Sequence, residues 1–162
     1  MNDSLLYNQN YELWVLLQQA RDAIHQARDK ELRKFGISNV QSAVLFIIQA
    51  IGHEATPTEI SRWIFRRPHG VSALLTRMEK KGLVKRTKDL GRKNMARVEI
   101  TKKGYQAYND STGQESIQHI MSSLSEEERR QLKSWLLKLR DTACEDLRVD
   151  VRPRYPLSKS TH

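Results

Sequence analysis

Apolar positions recur along the chain with two different periods. Leu13, Leu17, Ala20, Ile24 and Ala27 step by three or four residues. They form one stripe on a helix from about Gln9 to Lys34, which Phe35-Gly36 ends. Ser38 followed by Gln41 is a capping box, and it opens a second helix that runs to about Ile51. Its inward residues are Val44, Leu45, Ile48 and Ile51, and Gly52 stops it. Thr56-Pro57-Thr58-Glu59 starts a short third helix, with Thr as cap, Pro in the first helical position and Glu three residues after the cap. Ile60, Trp63 and Ile64 lie on one side of it. Pro68 interrupts this helix and begins a fourth, whose buried face is Val71, Leu74, Leu75 and Met78. Gly82 ends the fourth.

The period then changes to two. Leu83 to Thr87 and Ala96 to Ile100 read as short strands, with Val98 and Ile100 alternating with Arg97 and Glu99. The polar stretch Lys88 to Asn94 joins them into a hairpin with a basic tip. Thr101 caps a fifth helix expected from about Lys102 to Ser122, with a bend or frayed turn around Asn109 to Gly113. Ser125 and Glu128 form another capping box. Glu126, Glu127 and Glu128 suit the positive end of the sixth helix, whose stripe is Leu132, Trp135, Leu136, Leu139, Ala143 and Leu147. After Asp150 the tail carries Pro153 and Pro156 without periodicity and is expected to be extended or mobile.

The order helix, helix, short helix, turn, helix, hairpin is that of a winged helix-turn-helix. The expected fold class is mainly α with a small β-hairpin wing. It divides into an N-terminal helix (1–36), the winged helix-turn-helix (37–103), C-terminal helices (104–150) and a tail (151–162). In such a unit a helix held across a turn can lie in the major groove of DNA, and the hairpin can reach backbone or the neighbouring minor groove. The outer face of the fourth helix shows His69, Ser72, Ala73, Thr76, Arg77 and Lys80. Arg66 and Arg67 stand at its entry, and Gly70 permits close backbone approach.

Charge sharpens this picture. The 162 residues carry 28 Lys+Arg and 19 Asp+Glu, a formal net charge of +9. Residues 62–103 hold 14 of the basic and only 3 of the acidic side chains, so the excess lies in one central segment. A compact basic block is a footprint for a polyanion rather than a scattered solvated face.

Composition excludes several classes. No apolar run approaches the ~18 residues of a membrane span, and the first residues do not read as a signal peptide. A single cysteine, Cys144, excludes an intramolecular disulfide framework. A cytoplasmic, reduced environment is the default, with no membrane partner, no cofactor and no metal site. Cys144 has no Lys, Arg or His within one residue, which favours an inert thiol over a redox switch. His25, His53 and His119 lack compact ligand spacing and read as ordinary histidines. Tyr11, Trp14 and Trp63 read as core, with the lining of an effector pocket as the competing reading. No nucleophile elbow, phosphate-binding glycine loop or H-E-x-x-H is present, so no enzyme is expected.

Residues 71–86, Val-Ser-Ala-Leu-Leu-Thr-Arg-Met-Glu-Lys-Lys-Gly-Leu-Val-Lys-Arg, resemble the recognition helix and first wing strand of MarR-type regulators. Ile100-Thr101-Lys102-Lys103-Gly104 resembles that family's L-T-x-x-G after the second wing strand, at the family's spacing. The resemblance covers about residues 10–147. It implies a homodimeric DNA-binding transcriptional regulator, more often a repressor, on a pseudo-palindromic operator, with the terminal helices interlocking two chains. A small-molecule effector that biases the spacing of the two reading helices is one route to DNA release. The outer face and entry of the fourth helix together with the resemblance point to Arg66, Arg67, His69, Ser72, Thr76, Arg77, Lys80, Arg92 and Lys93 as DNA-binding residues. Two departures stand out. Ala73 replaces a common arginine, and Arg92-Lys93-Asn94 replaces the wing's usual Asp-x-Arg, leaving Arg92 or Lys93 to enter the minor groove or touch its phosphates. The competing readings are a winged-helix protein-interaction module with an acidic partner and an architectural DNA binder without an operator.

Overall fold

The computed structural model describes residues 8–88 and 95–150. In chain order these form α1 (Gln9–Leu32), α2 (Asn39–Ile51), α3 (Pro57–Trp63), α4 (Pro68–Lys80), β1 (Val84–Lys88), β2 (Ala96–Ile100), α5 (Lys102–Asp110), α6 (Glu115–Met121) and α7 (Glu126–Leu147). The expected signals set most boundaries. Gly36 takes φ 71 after a 3-10 turn and ends the first helix, a conformation that suits glycine. The capping boxes of Ser38 with Gln41 and Ser125 with Glu128 both form. The Thr56 side chain accepts from the Glu59 amide, with Pro57 in the first turn of α3.

The core gathers Leu32 at the end of α1 with Val44, Leu45 and Ile48 of α2, Ile60 of α3, and Val71, Leu74, Leu75 and Met78 of α4. Val84 and Val98 close it from the hairpin. β1 and β2 pair antiparallel with Val84 opposite Ile100 and Arg86 opposite Val98. The Val98 amide also donates to the Ala55 carbonyl at 2.8 Å, which ties the wing to the turn before α3.

Gly104 explains the spacing of the Thr-x-x-Gly motif. The Thr101 hydroxyl donates to the Gly82 carbonyl at 2.5 Å and accepts from the Gly104 amide at 3.1 Å. The Thr101 amide donates to the Leu83 carbonyl at 3.1 Å. The first turn of α5 is thus drawn onto the chain at residues 82–83, where only a residue without a Cβ fits.

The single fifth helix expected from Lys102 to Ser122 is two helices. α5 stops at Asp110, and Gln114 takes φ 51 before α6 begins. The intervening Ser111, Thr112 and Gly113 are weak helix formers, and both hydroxyls bond back to carbonyls three residues earlier. A buried ion pair on α1 holds the break in place. Arg28 and Glu31 lie 2.8 Å apart. Arg28 donates to the Ser111 carbonyl at 2.8 Å, at the C-terminal end of α5. Glu31 accepts from the Glu115 and Ser116 amides at 3.0 and 3.2 Å, and from the Ser116 hydroxyl, at the N-terminal end of α6. Each charge therefore faces the helix end whose dipole it complements.

Burial alone would raise the Glu31 carboxyl, but the Ser116 hydroxyl, Arg28 and the Ser116 amide outweigh it and hold its pKa at about 2 against an ordinary 4.5. A carboxyl depressed by folding stabilises fully above its unfolded pKa, and that stabilisation is lost as pH falls through the folded one. We expect ~3 kcal/mol to disappear between about pH 5 and pH 2. Melting temperatures measured across that range should fall steeply in the parent chain and much less in Glu31→Gln. Parallel pH profiles would show that Glu31 does not carry the acid sensitivity.

The core closes without the outer halves of α1 and α7. Leu13, Trp14, Leu16 and Leu17 of α1 are exposed in the single chain, as are Trp135, Leu136, Leu139 and Leu147 of α7. Tyr11 and Trp14, expected in the core, instead form an exposed pair with ring centroids 5.6 Å apart. Trp63 packs against the core as expected.

Candidate nucleic-acid interface

Because Val71, Leu74, Leu75 and Met78 fix the inward face of α4, helical periodicity turns His69, Ala73, Arg77 and Lys80 outward, and all four are exposed. Ser72 and Thr76 lie half-buried at the border of the same face. Arg66 and Arg67 are exposed in the turn that leads into α4. Among the described residues, the side chains of Arg66, Arg67, His69, Arg77 and Lys80 have no hydrogen-bonded or ion-paired partner. Arg92 and Lys93 lie outside the described residues, as do the wing tip and the tail beyond Asp150.

The start of α4 is open. Arg67 is its N-cap but makes no side-chain cap bond, and Pro68 has no N–H. The amides of His69 and Gly70 find no acceptor among the described residues. Free amides at a helix N-terminus beside two arginines suit a phosphate group. A Cβ added at Gly70 would meet nothing within 4 Å, so the fold itself does not require glycine there.

Sequence reasoning missed the brace behind this face. Glu79 of α4 accepts from the Arg86 amide at 3.0 Å and from its Nε at 2.7 Å, and pairs with its Nη2 at 2.5 Å. Arg86 Nη2 also donates to the Thr76 hydroxyl at 2.9 Å, and that hydroxyl donates to the Ser72 carbonyl at 3.0 Å. The Arg86 hydrogen bonds hold the Glu79 carboxyl below its ordinary range. This network locks α4 to β1. It also engages the Thr76 hydroxyl on both sides and leaves Arg77 without Glu79 as a partner. The signal was present in the spacing Glu79 to Arg86, one residue on each element across the turn at Gly82.

A cleft of about 170 Å³ lies between the end of α2, β2 and α5, lined by Ile48, His53, Arg97, Val98 and Tyr105 among others. Cys144 is buried, and among the described residues no group of three His, Cys, Asp or Glu side chains is placed to hold a metal. No helix among the described residues is long and apolar enough to cross a membrane.

The MarR family model matches residues 35–93, which hold α2 to β1. The organohalide-sensing transcriptional regulator RdhR, in its 2,4-dichlorophenol-bound form, is 32% identical, with 88% of this chain and 85% of that chain covered at a TM-score of 0.80. The chain belongs to the MarR family. It is therefore a transcription regulator with a winged helix-turn-helix and not an enzyme. Two further solved MarR-type structures extend the likeness. S. aureus MepR in complex with DNA is 27% identical, with 84% of this chain and 98% of that chain covered at a TM-score of 0.73. A mutant of E. coli MarR with operator DNA is 23% identical over 83% of this chain and 97% of that one, and shares the fold at a TM-score of 0.77. No curated protein sequence matches the chain.

Proposed function

We propose that this MarR-family chain is a homodimeric repressor that binds a pseudo-palindromic operator, with α4 of each subunit in the major groove and the 88–95 wing at the minor groove. The observation that carries the proposal is the unpaired cationic face of Arg66, Arg67, Arg77 and Lys80, with His69 exposed among them, on and before a helix braced from behind by Glu79 and Arg86. Arg66, Arg67 and the first amides of α4 take phosphates; Arg77 and Lys80 line the groove beyond them; Ser72, the methyl of Thr76 and His69 face base edges. The solved complexes of MepR and E. coli MarR with DNA support docking of this fold on a duplex.

The exposed apolar stripes of α1 and α7 support the dimer. A pairing of chains through them sets two α4 helices at half-sites about 10 bp apart, and occupancy of that site excludes other proteins from it. The cleft beside Tyr105 and His53 suits one substituted aromatic ring, and the dichlorophenol-bound form of RdhR supports an effector of that class. Such a ligand releases DNA by shifting the spacing of the two α4 helices.

The deciding experiment titrates the purified chain onto a duplex selected from a randomised library and onto random duplex, at two salt concentrations. We expect a preference of about 10³ or more for a palindromic site, with a salt slope that corresponds to ~6–10 neutralised phosphates. Equal, salt-sensitive binding to all duplexes would replace the operator with an architectural role. No binding at low salt would replace DNA with an acidic protein partner.

A further inference from the structure

The turn between α3 and α4 carries an aromatic side chain that the core does not use. Phe65 takes φ 51, in the left-handed region, where a bulky L-residue is strained. Gly36, Gly52 and Gly82 occupy comparable positive φ values with glycine, which relieves that strain, while Gln114 and Arg148, both polar, share the φ of Phe65 at other helix ends. Burial does not compensate at Phe65. The residue is 51% exposed, and it belongs neither to the core nor to the residues packed against it. The left-handed turn itself ends α3, since the Arg66 amide donates back to the Ser61 carbonyl at 3.1 Å, but that stop calls for glycine or asparagine rather than an aromatic residue.

The residues next to Phe65 give the ring its context. Arg66 and Arg67 are exposed and unpaired among the described residues, and α4 then opens with free amides and the unhindered Gly70. A strained, solvent-exposed aromatic is thus placed at the cationic entry of the helix proposed to read DNA. A phenyl ring offers no hydrogen bond, so it adds nothing to a phosphate contact. The apolar group that a duplex presents in its major groove is the C5-methyl of thymine.

We propose that Phe65 is a specificity-determining residue that packs on the C5-methyl of one thymine in each operator half-site. The inference rests on the DNA-binding proposal above and adds to its base contacts an apolar one from outside α4. The left-handed turn aims the ring; Arg66 and Arg67 fix the strand against which it sits.

The test uses the full chain and its library-selected duplex, with each thymine of the half-site replaced in turn by deoxyuridine, which removes only the methyl. One position should weaken binding by about fourfold per half-site, the effect of one buried methyl group. In Phe65→Asn, which tolerates the left-handed turn, affinity should fall for the thymine duplex. The deoxyuridine effect at that position should then vanish, and the salt slope should stay unchanged, since no charge is lost. The melting temperature of free Phe65→Asn should hold or rise as strain is relieved. Insensitivity to deoxyuridine at every thymine would overturn the inference while leaving DNA binding intact. A fall in melting temperature would also overturn it, since the ring would then serve the fold. Failure of the parent chain to bind any duplex would remove the DNA-binding proposal and this inference together.

Discussion

Gly104→Ala is expected to destabilise the chain by more than about 4 kcal/mol, an exceptional loss for one methyl group. A Cβ at this position would lie 2.1 Å from the Leu83 carbonyl oxygen and 2.8 Å from Ile100 Cγ2. The first contact is with backbone, so no rotamer change relieves it. Moving α5 away would break the bonds from the Thr101 amide to Leu83 and from the Thr101 hydroxyl to Gly82. Moving Leu83 would disturb the core beside Val84 and Val98. Either response removes a cap or opens the core. The melting temperature should fall by roughly 10 °C or more. Gly113→Ala is the control, because a Cβ there meets nothing within 4 Å, and it should melt within a few degrees of the parent. A small change at Gly104 would mean that α5 does not rest on the Leu83 carbonyl.

The second large effect concerns assembly. Leu17 in α1 and Leu139 in α7 are exposed and lie on the stripes proposed to join two chains. Leu17→Glu with Leu139→Glu places two carboxylates from each chain in that interface. Neither residue belongs to the core of the winged region, so helicity by circular dichroism should persist. Sedimentation should show a monomer where the parent sediments as a dimer. Operator affinity should then fall by about 10³, because one half-site no longer raises the effective concentration at the other. A double variant that still sediments as a dimer would place the interface elsewhere.

The winged region was legible in the sequence because its signals are local. Caps at Ser38, Thr56 and Thr101 and the four-residue face Val71, Leu74, Leu75 and Met78 all act within one element. The outward face of α4 came directly from its inward face. The long-range contacts escaped. Arg28 and Glu31 carry no local signal in the sequence, yet they meet residues more than 80 positions away and hold apart the two helices α5 and α6 where one was expected. Glu79 and Arg86 sit on different elements, so their pairing needed the turn geometry before it could be seen. Tyr11 and Trp14 looked like core because a periodic stripe records that a face is apolar, not whether its own chain covers it. Phe65 gave no signal at all, since a left-handed φ at an aromatic residue is invisible to pattern.

The Arg28–Glu31 clamp also imposes an order on folding. Its bonds to Ser111, Glu115 and Ser116 close loops of 83 to 85 residues. Contacts between such distant positions form late, because the intervening chain must first give up its freedom. On a chain that leaves the ribosome N-terminus first, residues 37–103 emerge before Ser116 does. α1 therefore waits with its inner end seated at Leu32 and its final tilt unset. The surface at which two chains would meet needs α7 as well as α1, so it is complete only after Leu147 has followed Ser116 out of the ribosome. The winged head is finished first, and the chain becomes competent to find its partner afterwards.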